Sequence, residues 1–235
     1  MPEPARQIEC LAFDLDDTLY PERECVVPRL TAVAEFLTSR LGPRLDFREA
    51  LVRAYEERRP GGLFATVLAR AGIGPERGLV DELVALYRGG PVSITAYADV
   101  HPFLARWQHR VALALVTDGY PPTQRKKVES LGIQCYFRII VYTGDLGQGK
   151  AKPSAEPFRL VAERLRVGGA AAYVGDNPVL DVAGPRSLGW LAVRIRRAGT
   201  RFRSQKAPRG SLPDFEISGL DELESTPGLA RLLNR

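Results

Sequence analysis

The sequence predicts an α/β fold, a parallel sheet covered by helices on both faces and interrupted once by an all-helical insertion. Beyond residue 111, short apolar runs alternate with stretches of helical spacing, the pattern of strands joined by helical crossovers. Across residues 20–98 no convincing strand occurs, and Gly/Pro breaks separate the helical stretches. Several apolar runs also stop abruptly at reactive polar residues, as strands do at the ligand-binding edge of an open parallel sheet.

The first run, residues 8–13, has the length and apolar character of a buried parallel strand and breaks into Asp14-Leu15-Asp16-Asp17-Thr18. Side chains alternate along an extended backbone, so Asp14 and Asp16 point to one side and Leu15 to the other. One carboxylate is then placed to attack while its neighbour handles a proton. Clustered carboxylates raise one another's pKa, and a hard divalent cation such as Mg²⁺ reverses that penalty. An Asp-rich turn is the plainer reading of the same residues, and Asp17 reads as a turn or hinge residue rather than a ligand.

Helical spacing follows at 26–41, 47–58, 63–71 and 75–87, broken by Leu41-Gly42-Pro43, Arg59-Pro60-Gly61-Gly62 and Gly72-Ile73-Gly74-Pro75. The run 111–116 then ends in Thr117-Asp118-Gly119, with a helix expected at 122–131 and a β-rich run at 137–142. Ala151-Lys152-Pro153-Ser154 precedes a helix at 155–165, and the run 170–174 ends in Gly175-Asp176-Asn177-Pro178. A further strand is expected at 191–195, then a long, solvated basic loop at 196–213 and a last strand at 214–217. In a parallel sheet the ends carrying Asp14/Asp16, Thr117/Asp118 and Asp176 meet on one rim, joined there by Lys152.

Composition excludes several classes. A chain of 235 residues suits one large domain, or a core with a smaller companion. Its 45% hydrophobic and 26% charged residues are those of a soluble globular protein, without an apolar leader or a run near membrane-span length. The three cysteines, Cys10, Cys25 and Cys135, are widely spaced, which argues against a disulfide framework or zinc site and for a reducing, cytoplasmic home. Cys135 reads as a small buried residue. The net charge of +5 comes mostly from scattered arginines with one concentration at 194–209. No nucleic-acid motif accompanies it, so neither nucleic acid nor membrane is the expected partner, and a small phosphorylated anion is.

These residues resemble the haloacid dehalogenase-like (HAD) hydrolase superfamily, specifically its phosphatases with a helical C1-type cap, over nearly the whole length. Phe13-Asp14-Leu15-Asp16-Asp17-Thr18 resembles the DxDxT motif. Val116-Thr117-Asp118-Gly119 resembles the second motif, Lys152-Pro153 with Phe158 the third, and Gly175-Asp176 through Asp181 the fourth. The resemblance implies a Rossmann-like parallel sheet core, residues 1–19 and 99–235, with an inserted helical cap domain at 20–98. It also implies Asp14 as a nucleophile forming an aspartyl-phosphate and Asp16 as general acid and base. Thr117 would bind the phosphoryl group with adjacent amides at Asp118 and Gly119, and Lys152 would balance charge. Asp14, the Asp16 carbonyl and Asp176 would hold Mg²⁺, with Asp181 orienting that set.

Other assignments stay open at this stage. Lys150 rivals Lys152, which its Lys-Pro context favours, and Asp181 has a second reading as a helix cap. Tyr20, Arg58 and Arg59 are candidates for facing substrate, and His101 and His109 lie outside every motif. Asn177, where many relatives carry Ser, and Gly184-Pro185 depart from the family pattern. The best reading is a Mg²⁺-dependent phosphomonoesterase acting on a small metabolite; a phosphomutase and a non-catalytic phosphate-ligand binding protein on the same scaffold are the alternatives. A dehalogenase is disfavoured because that branch lacks the acids matched by Asp16 and Asp176. Sugar phosphates, phosphoglycolate and nucleoside monophosphates all fit as substrates.

Overall fold

The computed structural model describes residues 8–57, 62–74 and 77–233. Six strands form one all-parallel sheet: β1 (Ile8–Phe13), β2 (Ala112–Thr117), β3 (Ile139–Tyr142), β4 (Ala170–Gly175), β5 (Leu191–Ile195) and β6 (Phe215–Ile217). Their order is β3-β2-β1-β4-β5-β6. The chain therefore builds outward from β1 first on one side and then on the other, which makes the carboxyl end of β1 a topological switch point. Both faces of the sheet are covered, so the inner strands are continuous apolar runs rather than alternating ones: Cys10 to Phe13 and Leu113 to Val116 are fully buried.

The chain divides into two compact units, one running to Pro21 and resuming at Ile94, the other spanning Glu22–Ser93. The second unit is helical: α1 (Glu22–Leu41), α2 (Phe47–Glu57), α3 (Leu63–Arg70) and α4 (Arg77–Gly89). Its core is its own, with Leu30, Val33, Leu37, Phe47, Leu51, Val67, Leu68 and Leu83 buried together. α1 begins four residues before the apolar pattern does, because Glu22 and Glu24 in the first turn complement the positive end of the helix dipole. Arg29, almost wholly buried, donates to the carbonyls of Gly90 and Pro91 and closes this unit.

In the sheet unit, α5 (Val100–Trp107) precedes β2, α6 (Pro121–Ser130) follows it, and α7 (Glu156–Leu165) precedes β4. The short helices α8 (Ala183–Ser187), α9 (Glu222–Ser225) and α10 (Leu229–Leu233) complete it. The sequence reading left α5 unassigned, although Val100, Phe103, Leu104 and Trp107 bury one face at helical spacing. Two other expectations are corrected. Cys135 is exposed. The basic loop is not simply solvated: Arg194 is buried and donates to the carbonyls of Phe202 and Gln205. Arg197 is buried too, donating to the Thr18 carbonyl (3.1 Å) and Asp99 (2.7 Å) and lying 4.3 Å from the Tyr97 ring centroid. Arg194, on β5, and Arg197, in the loop, thus fasten it, and Arg197 fastens it to the turn that follows β1. No helix among the described residues is long and apolar enough to cross a membrane.

Candidate active site

The site grows from the turn after β1. The Asp14 amide donates to the Val174 carbonyl at 2.8 Å, continuing the β1–β4 ladder by one bond before the chain turns. Asp17 sits at φ 54°, in the left-handed region that Asp tolerates, and Leu19 N bonds back to the Leu15 carbonyl at 2.9 Å. Asp17 is therefore a turn residue, its carboxylate 3.5 Å from the Arg201 amide.

Asp14, Lys152 and the pair Asp176 and Asp181, from three separate stretches of chain, come together in the interior, none more than 7% exposed. Lys152 Nζ donates to Asp14 Oδ1 (2.6 Å), Asp181 Oδ1 (2.8 Å) and the Tyr173 hydroxyl (2.9 Å). An ammonium has three hydrogens, and all three are used. Burial alone would lower the Lys152 pKa, but the charges of Asp14 and Asp181 outweigh it and raise the pKa well above the ordinary value. Lys150, the rival, is exposed.

The carboxylates outnumber that cation. Asp14, Asp176 and Asp181 each offer an oxygen within 4.8 Å of the others'. Burial pushes the Asp14 pKa up; Lys152 pulls it back, Asp181 and Asp16 push it up again, and the result lies well above the carboxylate range. Asp176 is raised too, by burial first and then by Asp181, Asp14 and Asp17. Its Oδ2 is buried with no hydrogen-bond partner. An orphaned anionic oxygen beside two other carboxylates is a hard-cation donor set, oxygen only, and it fits a divalent ion such as Mg²⁺.

Asp181 does not cap a helix. Its Oδ1 is held by Lys152 and its Oδ2 accepts the Asn177 amide at 2.8 Å, while α8 begins beyond it without a side-chain cap. Asn177 Oδ1 accepts the amides of Val179 (3.0 Å) and Leu180 (3.3 Å), an Asx turn that explains Asn at this position. Gly175 is required for the same packing, since a Cβ there would lie 2.4 Å from Asp181 Oδ2.

Asp16 has partners of its own, separate from those of this cluster. Lys127 Nζ donates to its Oδ1 at 2.6 Å, the Tyr20 hydroxyl donates to the same oxygen, and Gln124 Nε2 donates to its Oδ2 at 2.8 Å. Burial would raise its pKa; the Lys127 charge and these hydrogen bonds outweigh burial and lower it. Gln124 Nε2 also donates to Thr117 Oγ1 at 2.6 Å. Asp118 turns its carboxylate onto the Thr143 hydroxyl (2.6 Å) and the Lys152 amide (3.3 Å), bracing the lysine loop. Gly119 lies exposed in the turn before α6, at φ 124°.

Tyr20, a candidate for facing substrate, is fully buried with its hydroxyl on Asp16. Arg58 and Arg59 lie outside the described residues. Sequence reasoning missed Gln124, Lys127 and Tyr173. One signal was available: the buried positions of α6 are Thr123, Gln124, Lys127 and Val128, and polar residues on the inner face of a helix need partners. His101 bonds the Tyr136 hydroxyl at 3.2 Å and takes no part in the cluster.

Comparison with known proteins agrees with this geometry. The family model described as haloacid dehalogenase-like hydrolase matches residues 8–189. A glyceraldehyde 3-phosphate phosphatase from Methanopyrus kandleri is 32% identical over 92% of this chain and 95% of its own length. A phosphoserine phosphatase from Thermus thermophilus is 33% identical over 77% of this chain and 68% of its own. Among solved structures, a HAD phosphatase from Thermococcus onnurineus superposes with a TM-score of 0.65 at 25% identity, covering 94% of this chain and 98% of that one. The chain belongs to the haloacid dehalogenase-like hydrolase family.

Proposed function

We propose that the protein is a Mg²⁺-dependent phosphomonoesterase working through an aspartyl-phosphate on Asp14. The observation that carries this reading is the Lys152–Asp14–Asp181 ion network beside the unpartnered Asp176 oxygen, with a second carboxylate, Asp16, held nearby on its own donors.

In the first half-reaction an Asp14 oxygen attacks phosphorus. The bond from phosphorus to the ester oxygen breaks, and that oxygen takes a proton from Asp16 as the alcohol leaves. In the second, Asp16 takes a proton from water, whose oxygen attacks the same phosphorus and releases inorganic phosphate and the free Asp14 carboxylate. Lys152, saturated with acceptors, keeps one Asp14 oxygen fixed so that the other faces substrate. Thr117 donates to a phosphoryl oxygen. Mg²⁺ would be held by Asp14, Asp176 and the Asp16 carbonyl, and would supply positive charge for the phosphoryl oxygens. The divalent charge also suits three carboxylates that share one lysine.

Phosphatase relatives, two of them named for glyceraldehyde 3-phosphate and phosphoserine, support a small phosphorylated metabolite as substrate. We take residues 20–98 as a cap that selects it, with Arg58 and Arg59 among the selecting groups. The test is a panel of phosphorylated metabolites with Mg²⁺ and without a bisphosphate activator, read as phosphate release and run beside Asp14→Asn. Release by the wild type only is expected; an Asp14→Asn variant within about tenfold of wild type would remove the nucleophile assignment, since loss of an acid or base alone costs about 10²–10⁴.

A further inference from the structure

We propose that Gln124 and Lys127 are positioning residues of the reaction: together they hold the Asp16 carboxylate in one orientation, and Gln124 commits the Thr117 hydroxyl to donating toward the phosphoryl group. This rests on the phosphomonoesterase reading above and extends it to residues no motif contains.

Asp16 lies on a turn, and its side chain keeps 23% of its exposure, so packing alone does not fix its rotamer. Polar donors do. Lys127 and Tyr20 share Oδ1 while Gln124 holds Oδ2, so both oxygens are tied from two directions. Gln124 and Lys127 are three residues apart on α6, hence on one face, and both are buried there. Burying an amide and an ammonium on a helix costs stability unless each has a partner, and their partners are the acid/base carboxylate and the phosphate-binding hydroxyl.

The direction of the second contact follows from chemistry. The Gln124 atom facing Asp16 is its amide nitrogen, which donates to Oδ2 whether that carboxyl is ionised or carries the proton it passes to the leaving alcohol. That nitrogen has two hydrogens, and the second goes to Thr117 Oγ1. Thr117 therefore accepts from Gln124, and its own hydrogen is left to donate elsewhere. The Asp118 carbonyl, 3.5 Å away, is too distant to hold it. A phosphoryl oxygen, an acceptor, is the matching occupant. One side chain thus sets both the place of the proton carrier and the polarity of the phosphate contact.

The experiment compares kcat/KM for two esters of similar bulk, 4-nitrophenyl phosphate and 2-phenylethyl phosphate. This parameter reports steps up to departure of the alcohol, and the nitrophenolate leaves without a proton whereas the alkoxide needs one. Lys127→Met is expected to lower kcat/KM for the alkyl ester about 10²-fold and for the aryl ester by less than about fivefold, the signature of a misplaced general acid. Gln124→Met is expected to show the same skew and also to weaken competitive inhibition by inorganic phosphate about tenfold, whereas Lys127→Met leaves that inhibition within about twofold. Equal losses on the two esters for Lys127→Met, or unchanged phosphate inhibition for Gln124→Met, would overturn the assignment. If Lys127→Met does not fold, Lys127→Arg and Tyr20→Phe carry the test, and each must still skew the ratio by at least about threefold; an unmoved ratio in folded protein overturns the proposal. Asp16→Asn separates the two levels: if it fails to skew the ratio, the acid/base reading falls, and if it skews the ratio while Lys127→Met does not, that reading stands and this one falls.

Discussion

Asp176 carries an electrostatic burden that Lys152 relieves only in part. Its Oδ2 is buried and unpartnered, and the charges of Asp181, Asp14 and Asp17 outweigh that of Lys152. Without metal, Asp176→Asn should leave the thermal midpoint unchanged or raise it, because it removes a buried charge. With Mg²⁺ present at about 100 times its Kd, wild type should gain about 2.7 kcal/mol of stability and the variant should not. A variant that melts lower without metal yet keeps the Mg²⁺ gain would show that the oxygen is not waiting for a cation. Asp181 differs because two donors already hold it. Asp176→Ala should therefore weaken Mg²⁺ binding more than Asp181→Ala does, and equal losses in a calorimetric titration would make Asp181 a direct ligand. Thiol labelling is a separate check at this scale. Burial raises the Cys10 pKa to about 12 and Cys25 is buried, so alkylation of the native protein should stop at Cys135. The positions that the sequence singled out and the structure brings together, Asp14, Lys152, Asp176 and Asp181, share a cause of legibility. Each is polar where an apolar run stops or a helix is about to start. Gln124, Lys127 and Tyr173 have no such contrast, because their partners come from other elements.

At the scale of elements, the parallel strands were readable because burial on both faces makes them uninterrupted apolar runs, whereas α5 was not. Pro102 reads as a breaker, yet it lies in the first turn of α5, where a missing amide costs no helical bond. Gly184-Pro185, which departs from the family pattern, lies in the short α8. The structure gives Gly184 a reason: a Cβ there would meet Phe158 at 2.6 Å, the Ser154 carbonyl at 2.8 Å and the Pro153 carbonyl at 2.9 Å. α8 is thus pressed against the loop that presents Lys152, and a larger residue must displace one or the other. Gly184→Ala should cost about 1–3 kcal/mol of stability, the range for overpacking. It should also reduce turnover at temperatures where the protein is still fully folded, because the lysine loop shifts. A stability loss with wild-type turnover of the folded fraction would show that the loop absorbs the strain without moving Lys152.

At the scale of the whole molecule, the chain resolves into a sheet unit and the helical unit Glu22–Ser93, each with its own buried core. The sequence placed that division at residues 20–98 from a change in composition, and the compact units part a few residues inside those limits. The reason is local to the sheet unit. Tyr97 N donates to the Leu19 carbonyl at 3.0 Å, so the outgoing and returning chains are tied together before the helical unit begins. An insertion held at paired connections leaves the sheet's hydrogen bonding intact, and catalysis and selectivity are then separable by mutation. On the reading of this unit as a cap, Arg58→Ala and Arg59→Ala should change the ratio of kcat/KM between good and poor metabolites by at least about tenfold. The same variants should hydrolyse 4-nitrophenyl phosphate within about threefold of wild type, since binding energy from remote parts of a substrate is what a truncated or unnatural ester cannot use. Thermal midpoints should stay within about 2 °C, the shift that goes with a change of under about 0.5 kcal/mol. A uniform loss across every ester would mean that these arginines serve the chemistry or the fold in general, and the assignment of substrate choice to the helical unit would fall with it.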